Sequence, residues 1–489
     1  MNQQITNLEP KLLWHQFENI SKIPHASGNL DAIREYIINF AQECGYLPEQ
    51  DNAGNILVRV PILETGTTPI VLQSHIDMVP QIAEGVNFDF SKDSLRLICK
   101  KGQVTAEGTS LGADNGIGVA AMLAIMEAMA AGDIPQRALE LLFTVDEETG
   151  MTGARQLRED WLKGNKLINL DTEEEGVLMT GCAGAVNLKA VMKYRLDKNI
   201  PDGDEAVKLT LKGLRGGHSG MDIHLGRGNA CKLMNRFLKH AVVNFEARLA
   251  SVCGGTLRNA IPRSATAVIT VPSEVVDSII EEARYYQMVY RDEFNGIEPD
   301  LVFTAERAEL PSALLPVEVQ DDLINSVEAA FDGVWRWSHI LIDGKPTNGH
   351  VDTSSNLASV KTLPDGTAQV LMLIRSMDEE RKRALASSLQ SAFMLAGARV
   401  DFSSAYDSWS IPADAPLVKQ ALKADPSLRV SQVHCGLECG VISDKYPELQ
   451  IISIGPNIHH PHSHLESVEV DSVNRFWQLL NKIIYGKKE

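Results

Sequence analysis

Four histidines stand within six residues of the stretch GPNIHHPHSHLE (455–466): His459, His460, His462 and His464. Imidazole is a common metal ligand, and short His-rich tracts point to metal binding. Pro456 and Pro461 keep the tract out of a helix or central strand, so taken alone it reads as a solvated loop. Its meaning depends on partners elsewhere. VLQSHIDMVP (71–80) offers His75 and Asp77 at the end of an apolar run. Two residues apart on a strand, they share a face, and the aspartate can accept the second N–H of a ligating imidazole. Asp114, in GADNGIG, precedes a helix among glycines that permit unusual backbone angles. LLFTVDEETG (141–150) ends a buried run on Asp146, Glu147 and Glu148. Three adjacent acids repel one another, which suits a solvated turn or a bound cation beside a carboxyl of raised pKa. KLINLDTEEEG (166–176) ends on Asp171, and Glu173, Glu174 and Glu175 beyond it read as a solvated turn.

His75, Asp114, Glu148, Asp171 and the His tract supply nitrogen and carboxylate ligands, which suit zinc with open coordination positions. Two zinc ions carry four positive charges. Asp114, Glu148, Asp171 and one hydroxide balance them if the histidines are neutral. Glu147 is then left over, a spare carboxylate placed for general-base hydrolysis. Two short patterns compete in the same region. GTSLG matches the G-x-S-x-G nucleophile elbow with Ser110 at its centre, and GIGVAA matches a G-x-G-x-x-A dinucleotide fingerprint. GHVDTSS (349–355) repeats the His-x-Asp spacing with His350 and Asp352, but without a preceding buried strand, and is expected to be a loop. His434, Cys435 and Cys439 do not make a complete zinc set.

The elements that must position these groups follow from periodicity. Helices are expected over 10–45, 116–131 and 154–162, and strands over 56–60, 69–77, 104–108, 138–148, 166–171 and 449–455. Alternating apolar strands and helices predict a three-layer α/β/α sheet domain with ligands at the carboxyl ends of its strands. After about residue 185 the order becomes β-α-β-β-α-β, from 207 to 305. A second round is read over 317–408, so an inserted α+β domain of one or two ferredoxin-like units is predicted. The expected division is 1–185 with 409–489, interrupted by 186–408.

The chain has 489 residues, too many for one ordinary core, and its formal net charge of −18 disfavours nucleic acid. Seven scattered cysteines without a CxxC pair fit reduced thiols and a cytoplasmic protein. The first residues do not read as a signal peptide, and IGVAAMLAIMEAMAA reads as a buried helix, not a membrane span.

SHIDMVP, GADNGIG, DEETG and NLDTEE, in this order, resemble the di-zinc peptidases related to aminoacylase, carboxypeptidase G and carnosinase. LRGGHSGMDIHLGRGNA, RNAIPR, LIRSM, GLECG and PHS extend the resemblance over essentially the whole chain. It implies that His75 and Asp171 hold one zinc, Glu148 and His462 the other, and Asp114 both, beside a cis peptide to Asn115. Asp77 would orient His75, and Glu147 would be the general base. In the family the late histidine follows proline and precedes serine, which selects His462 in PHS, although His464 stands where a proline is often found. The resemblance also implies that His218 polarises the scissile carbonyl, often across a dimer contact. Asn259 and Arg375 would bind the substrate's carboxylate end, and Gly436 would offer backbone contacts. It further implies a homodimer formed through the inserted lid domain, and short peptide substrates including Xaa-His dipeptides and β-alanyl-histidine. Cobalt or manganese can occupy such ligands as well as zinc. The alternatives are an amidase or deacylase of the same family, a serine hydrolase using Ser110, and a non-enzymatic metal- or ligand-binding protein.

Overall fold

A computed structural model describes residues 4–60, 67–338 and 350–486, with the backbone of 341–342 and 345–346. The chain forms two compact units. One comprises Met1–Cys182, Trp409–Gln432 and Leu437–Glu489; the other comprises Ala183–Ser408 and Val433–Gly436. Gly436, expected in the terminal part of the interrupted domain, therefore packs with the second unit.

The strands Ile70–His75 and Leu139–Thr144 are buried at every position, which is why they read as largely apolar runs, with Gln73, Ser74, His75, Glu140 and Thr144 as buried polar exceptions. They pair in parallel, and Ile70–His75 also pairs in parallel with Lys166–Asn169. Gln450–Ser453 continues the parallel series beside Lys166–Asn169. Ile56–Val60 and Pro48–Gln50 extend one side antiparallel, and Val177–Cys182 and Trp409–Ser410 the other. Leu72, Leu141, Ile168 and Ile452 of neighbouring strands share a core with Ile117, Ala121 and Met126 of the helix Ala113–Ala131. That helix is long and apolar enough to cross a membrane, but 89% of its apolar window is buried inside the unit, as expected of a core helix. The expected helix over 154–162 is reduced to Thr152–Arg155. Beyond it the backbone N–H of Trp161 donates to Tyr446 Oη at 3.1 Å and the indole N–H to Glu49 Oε2 at 2.9 Å. These long-range bonds replace the helical ladder.

The second unit holds a nine-stranded sheet among the described residues. Asp204–Lys212, Arg248–Gly254, Ala265–Pro272 and Val302–Ala308 lie in spatial order 4-1-3-2, with helices Ala230–Phe245 and Val276–Glu293 between them in sequence. This is one ferredoxin-like unit. Gly184–Lys193, Val351–Leu363, Thr367–Ser376 and Arg399–Tyr406 form a second with the same 4-1-3-2 order. Its first strand precedes the whole first unit, so one ferredoxin-like unit is nested inside the other. A short seam, Cys253 opposite Lys361 and Gly254 opposite Val360, joins the two. The region expected as a loop, 349–355, is instead largely strand from Val351 onward. Asp352 there is buried and paired with Arg381 at 2.5 Å.

Candidate active site

The catalytic candidates of the first unit gather beyond the carboxyl ends of parallel strands. His75 is the last residue of Ile70–His75, Glu147 and Glu148 follow Leu139–Thr144, and Asp171 follows Lys166–Asn169. Asp114 enters from the start of the core helix. Its peptide bond to Asn115 is cis, and both residues depart from helical angles. His462 has a φ of 57° on the loop after Gln450–Ser453.

Asp114 faces two groups at once. Its Oδ1 lies 3.1 Å from His75 Nε2, which is 3.3 Å from Asp171 Oδ1. Its Oδ2 lies 3.1 Å from His462 Nε2, which is 3.0 Å from Glu148 Oε2. Two ligand clusters result, His75–Asp114–Asp171 and Asp114–Glu148–His462, each with donor atoms within 4.8 Å of one another. Glu147 forms a third group with His75 and Glu148.

The electrostatics match a cation site. Burial pushes the Glu148 carboxyl up to about 7, reinforced by Asp114, and its Oε1 is buried with no hydrogen-bond partner among the described residues. Burial, with Glu148, Asp171 and Glu438, lifts Glu147 well above the usual range, although His75 opposes this. Burial opposes a charge on His462, yet Asp114 and Glu148 outweigh it and raise its pKa to about 11. The same contest, won by Asp171, Asp114 and Asp77, raises His75. Crowded acids that draw protons onto two imidazoles are the donor set that divalent ions neutralise, with the histidines then neutral. The residues therefore fit a pair of divalent metals.

His75 Nδ1 lies 3.0 Å from the Asp77 carbonyl oxygen and 3.4 Å from its Oδ1. The Asp77 carboxylate accepts from Ser27 Oγ at 2.8 Å and from the backbone N–H groups of Glu147 and Glu148 at 3.0 and 3.2 Å. It thus holds both the imidazole and the acidic loop. Three supporting residues escaped the sequence reading: Ser27, Asn115, whose amide donates to Asp171 Oδ1, and Glu466. Glu466 accepts four backbone N–H groups, from Leu111, Gly112, Ala113 and Asp114, at 2.8–3.2 Å. Its partners are more than 350 residues distant in sequence, so no local spacing could have marked it. Glu438, within GLECG, is fully buried and receives Gln73 Nε2 at 2.6 Å and Thr144 Oγ1 at 2.7 Å.

The competing motifs resolve as packing. Ser110 Oγ donates to the Val79 carbonyl at 2.6 Å and accepts the Gln81 N–H at 3.1 Å, so its hydroxyl fastens a loop. A Cβ on Gly118 would overlap Asn115 Oδ1 and stand 2.5 Å from Ser74 Oγ, so that glycine permits close helix–strand approach. Of the other tract histidines, His459 turns to a different acid, its Nε2 2.7 Å from Glu469 Oε1. The acid run beyond Asp171 is engaged at the surface by Arg429 on Glu174 and Arg475 on Glu175.

The four substrate-binding candidates all belong to the second unit. His218 Nδ1 accepts the N–H groups of Gly220 and Met221, at 3.2 and 3.0 Å. Nε2 lies 3.5 Å from Arg375 Nη2. Arg375 Nη1 donates to Tyr406 Oη at 3.0 Å, and a Cβ on Gly436 would overlap that oxygen. Asn259 is exposed, and its carbonyl accepts the Ser219 N–H at 2.8 Å.

The profile of Peptidase family M20/M25/M40 matches residues 71–485. The chain is 38% identical over 491 aligned positions to the cytosol non-specific dipeptidase of Escherichia coli K12, covering 98% of each. Among solved structures, an aminoacylhistidine dipeptidase from Vibrio alginolyticus superposes with a TM-score of 0.82 at 38% identity, covering 100% of this chain and 99% of that one. A tripeptidase from Staphylococcus aureus shares the fold with a TM-score of 0.56 at 15% identity, covering 98% of each chain.

Proposed function

Because the chain belongs to peptidase family M20/M25/M40, we propose that it is a metal-dependent dipeptidase acting on Xaa-His and other short dipeptides, β-alanyl-histidine among them. The observation that carries the mechanism is Asp114, whose two carboxylate oxygens face separate histidine–acid pairs. His75, Asp171 and Asp114 would hold one divalent ion, and Asp114, Glu148 and His462 the other. Zinc suits these donors best, with cobalt and manganese as substitutes. When bound, the metals supply Lewis acidity that acidifies water and polarises the peptide carbonyl.

Glu147 takes the proton of the attacking water on its carboxylate and returns it to the nitrogen of the leaving amine. Burial and the neighbouring acids raise its pKa, which favours taking up that proton. Asp77 fixes the imidazole of His75 and the loop of Glu147 together. His218 Nε2–H is the donor for the carbonyl oxygen as negative charge develops there. Arg375 and Asn259 take the substrate's terminal carboxylate, and the backbone at Gly436 lines the same end. The reading includes a cytoplasmic homodimer formed through the second unit, which sedimentation would establish.

The test is hydrolysis of β-alanyl-histidine and several Xaa-His dipeptides before and after chelation, with metal content measured alongside. Activity should vanish with the metal and return on adding it back. Bound metal without dipeptide turnover would redirect the assignment to another amide, such as an acylated amino acid. Turnover indifferent to chelation would overturn the mechanism.

A further inference from the structure

The second unit contains a buried polar cluster larger than the assigned residues. Ser354 and Arg375 are directly opposed on the paired strands Val351–Leu363 and Thr367–Ser376. His434 joins them, its Nε2 2.8 Å from Ser354 Oγ. The backbone at Gly220 closes the other side. A Cβ there would overlap the His434 carbonyl oxygen and stand 3.2 Å from Arg375 Nε. All three side chains are buried, Arg375 with 5% and His434 with 8% of their surface exposed.

Among the described residues, two polar atoms of this cluster are buried without a hydrogen-bond partner: Arg375 Nε and His434 Nδ1. Among the described residues no carboxylate makes an ion pair with Arg375. A buried guanidinium with an unpaired N–H is costly unless an anion meets it. His434 is neutral, its pKa pushed down to about 3 by burial and by the charge of Arg375. A neutral imidazole has one N–H. If the Ser354 hydroxyl donates to Nε2, that N–H sits on Nδ1, the ring atom that has no partner among the described residues. Such a cluster offers neutral donors around one buried guanidinium, which suits a singly charged, planar carboxylate.

We propose that His434 is a specificity-determining residue. Held by Ser354, it donates its Nδ1–H to the ligand's terminal carboxylate next to Arg375 and thereby selects substrates with a free carboxyl end. The inference rests on the dipeptidase reading and extends it to two residues that reading leaves out.

The test compares β-alanyl-histidine with its C-terminal amide, using the full-length metal-loaded protein. In His434→Ala, KM for the free acid should rise about tenfold or more, as for a lost bond to a charged group. kcat should change little, and the amide's KM should stay put. Ser354→Ala should shift the acid's KM in the same direction by less. His434→Asn, which keeps an N–H donor, should recover part of the loss and serves if the alanine variant does not fold. Equal losses for acid and amide would overturn the proposal. Calorimetric binding of L-histidine against L-histidinamide needs no turnover, so a wild type inactive on dipeptides would sink the broader reading without deciding this one. A wild type that shows no preference for the acid, or a preference unchanged in His434→Ala, sinks the role of His434.

Discussion

His459 and His462 lie three residues apart and face different partners. His459 Nε2 lies 2.7 Å from Glu469 at a half-exposed position, a contact of the kind worth about 0–1 kcal/mol. His462 reaches Asp114 and Glu148. His462→Ala should therefore lose one metal ion per chain and nearly all turnover, whereas His459→Ala should change both little. Metal analysis and dipeptide hydrolysis read the two together, and equal effects would refute the assignment. His75, Glu148 and Asp171 could be picked from sequence because each stands at or just beyond the end of a buried strand, where an ionisable residue has no packing role. Choosing His462 from its tract drew on family resemblance, since spacing alone left the histidines equivalent. Glu466 had no such signal, because its partners are backbone N–H groups that exist only once the chain has folded.

At the scale of elements, Glu466 fastens the turn before the core helix to the loop that carries His462. Four N–H groups converge on one carboxylate, so the two arms of one ligand cluster are held as a single piece. Glu466→Gln keeps the volume but replaces one acceptor oxygen with a donor. Metal affinity should fall by about 10–100-fold, as for other supporting residues around metal ligands. A chelator titration followed by metal content measures this, and unchanged affinity would assign Glu466 to the fold alone. The parallel strands were legible because burial on both faces leaves a largely apolar run. The segment 154–162 misled because its helix-like composition is overridden by bonds to Tyr446 and Glu49. The first strand of the outer ferredoxin-like unit was missed for a topological reason: its partner Thr367–Ser376 lies beyond the whole inner unit.

Across the whole molecule, stability should carry the imprint of His434. Its folded pKa of about 3 lies below the ordinary 6.5 of the unfolded chain. Below pH 6.5 the unfolded state takes a proton that the folded state refuses, so this contribution weakens as pH falls from 6.5 towards 3. Relative to His434→Gln, the wild type should lose stability over that window with a slope approaching about 1.4 kcal/mol per pH unit. Denaturant midpoints at several pH values would show it, and parallel curves would mean that the ring takes up its proton freely in the folded protein.

The nested fold also dictates the timetable of synthesis. The inner unit has all four strands between Asp204 and Ala308 and can close first. Gly184–Lys193 must wait for Thr367–Ser376, and the open edge of Lys166–Asn169 must wait for Gln450–Ser453. At a ribosomal pace of about 5–20 residues per second, that edge stays unpaired for tens of seconds. His462 leaves the ribosome after every other member of the proposed ligand set. With that ligand set, a nascent chain gains activity towards peptides only once its sheet can be completed.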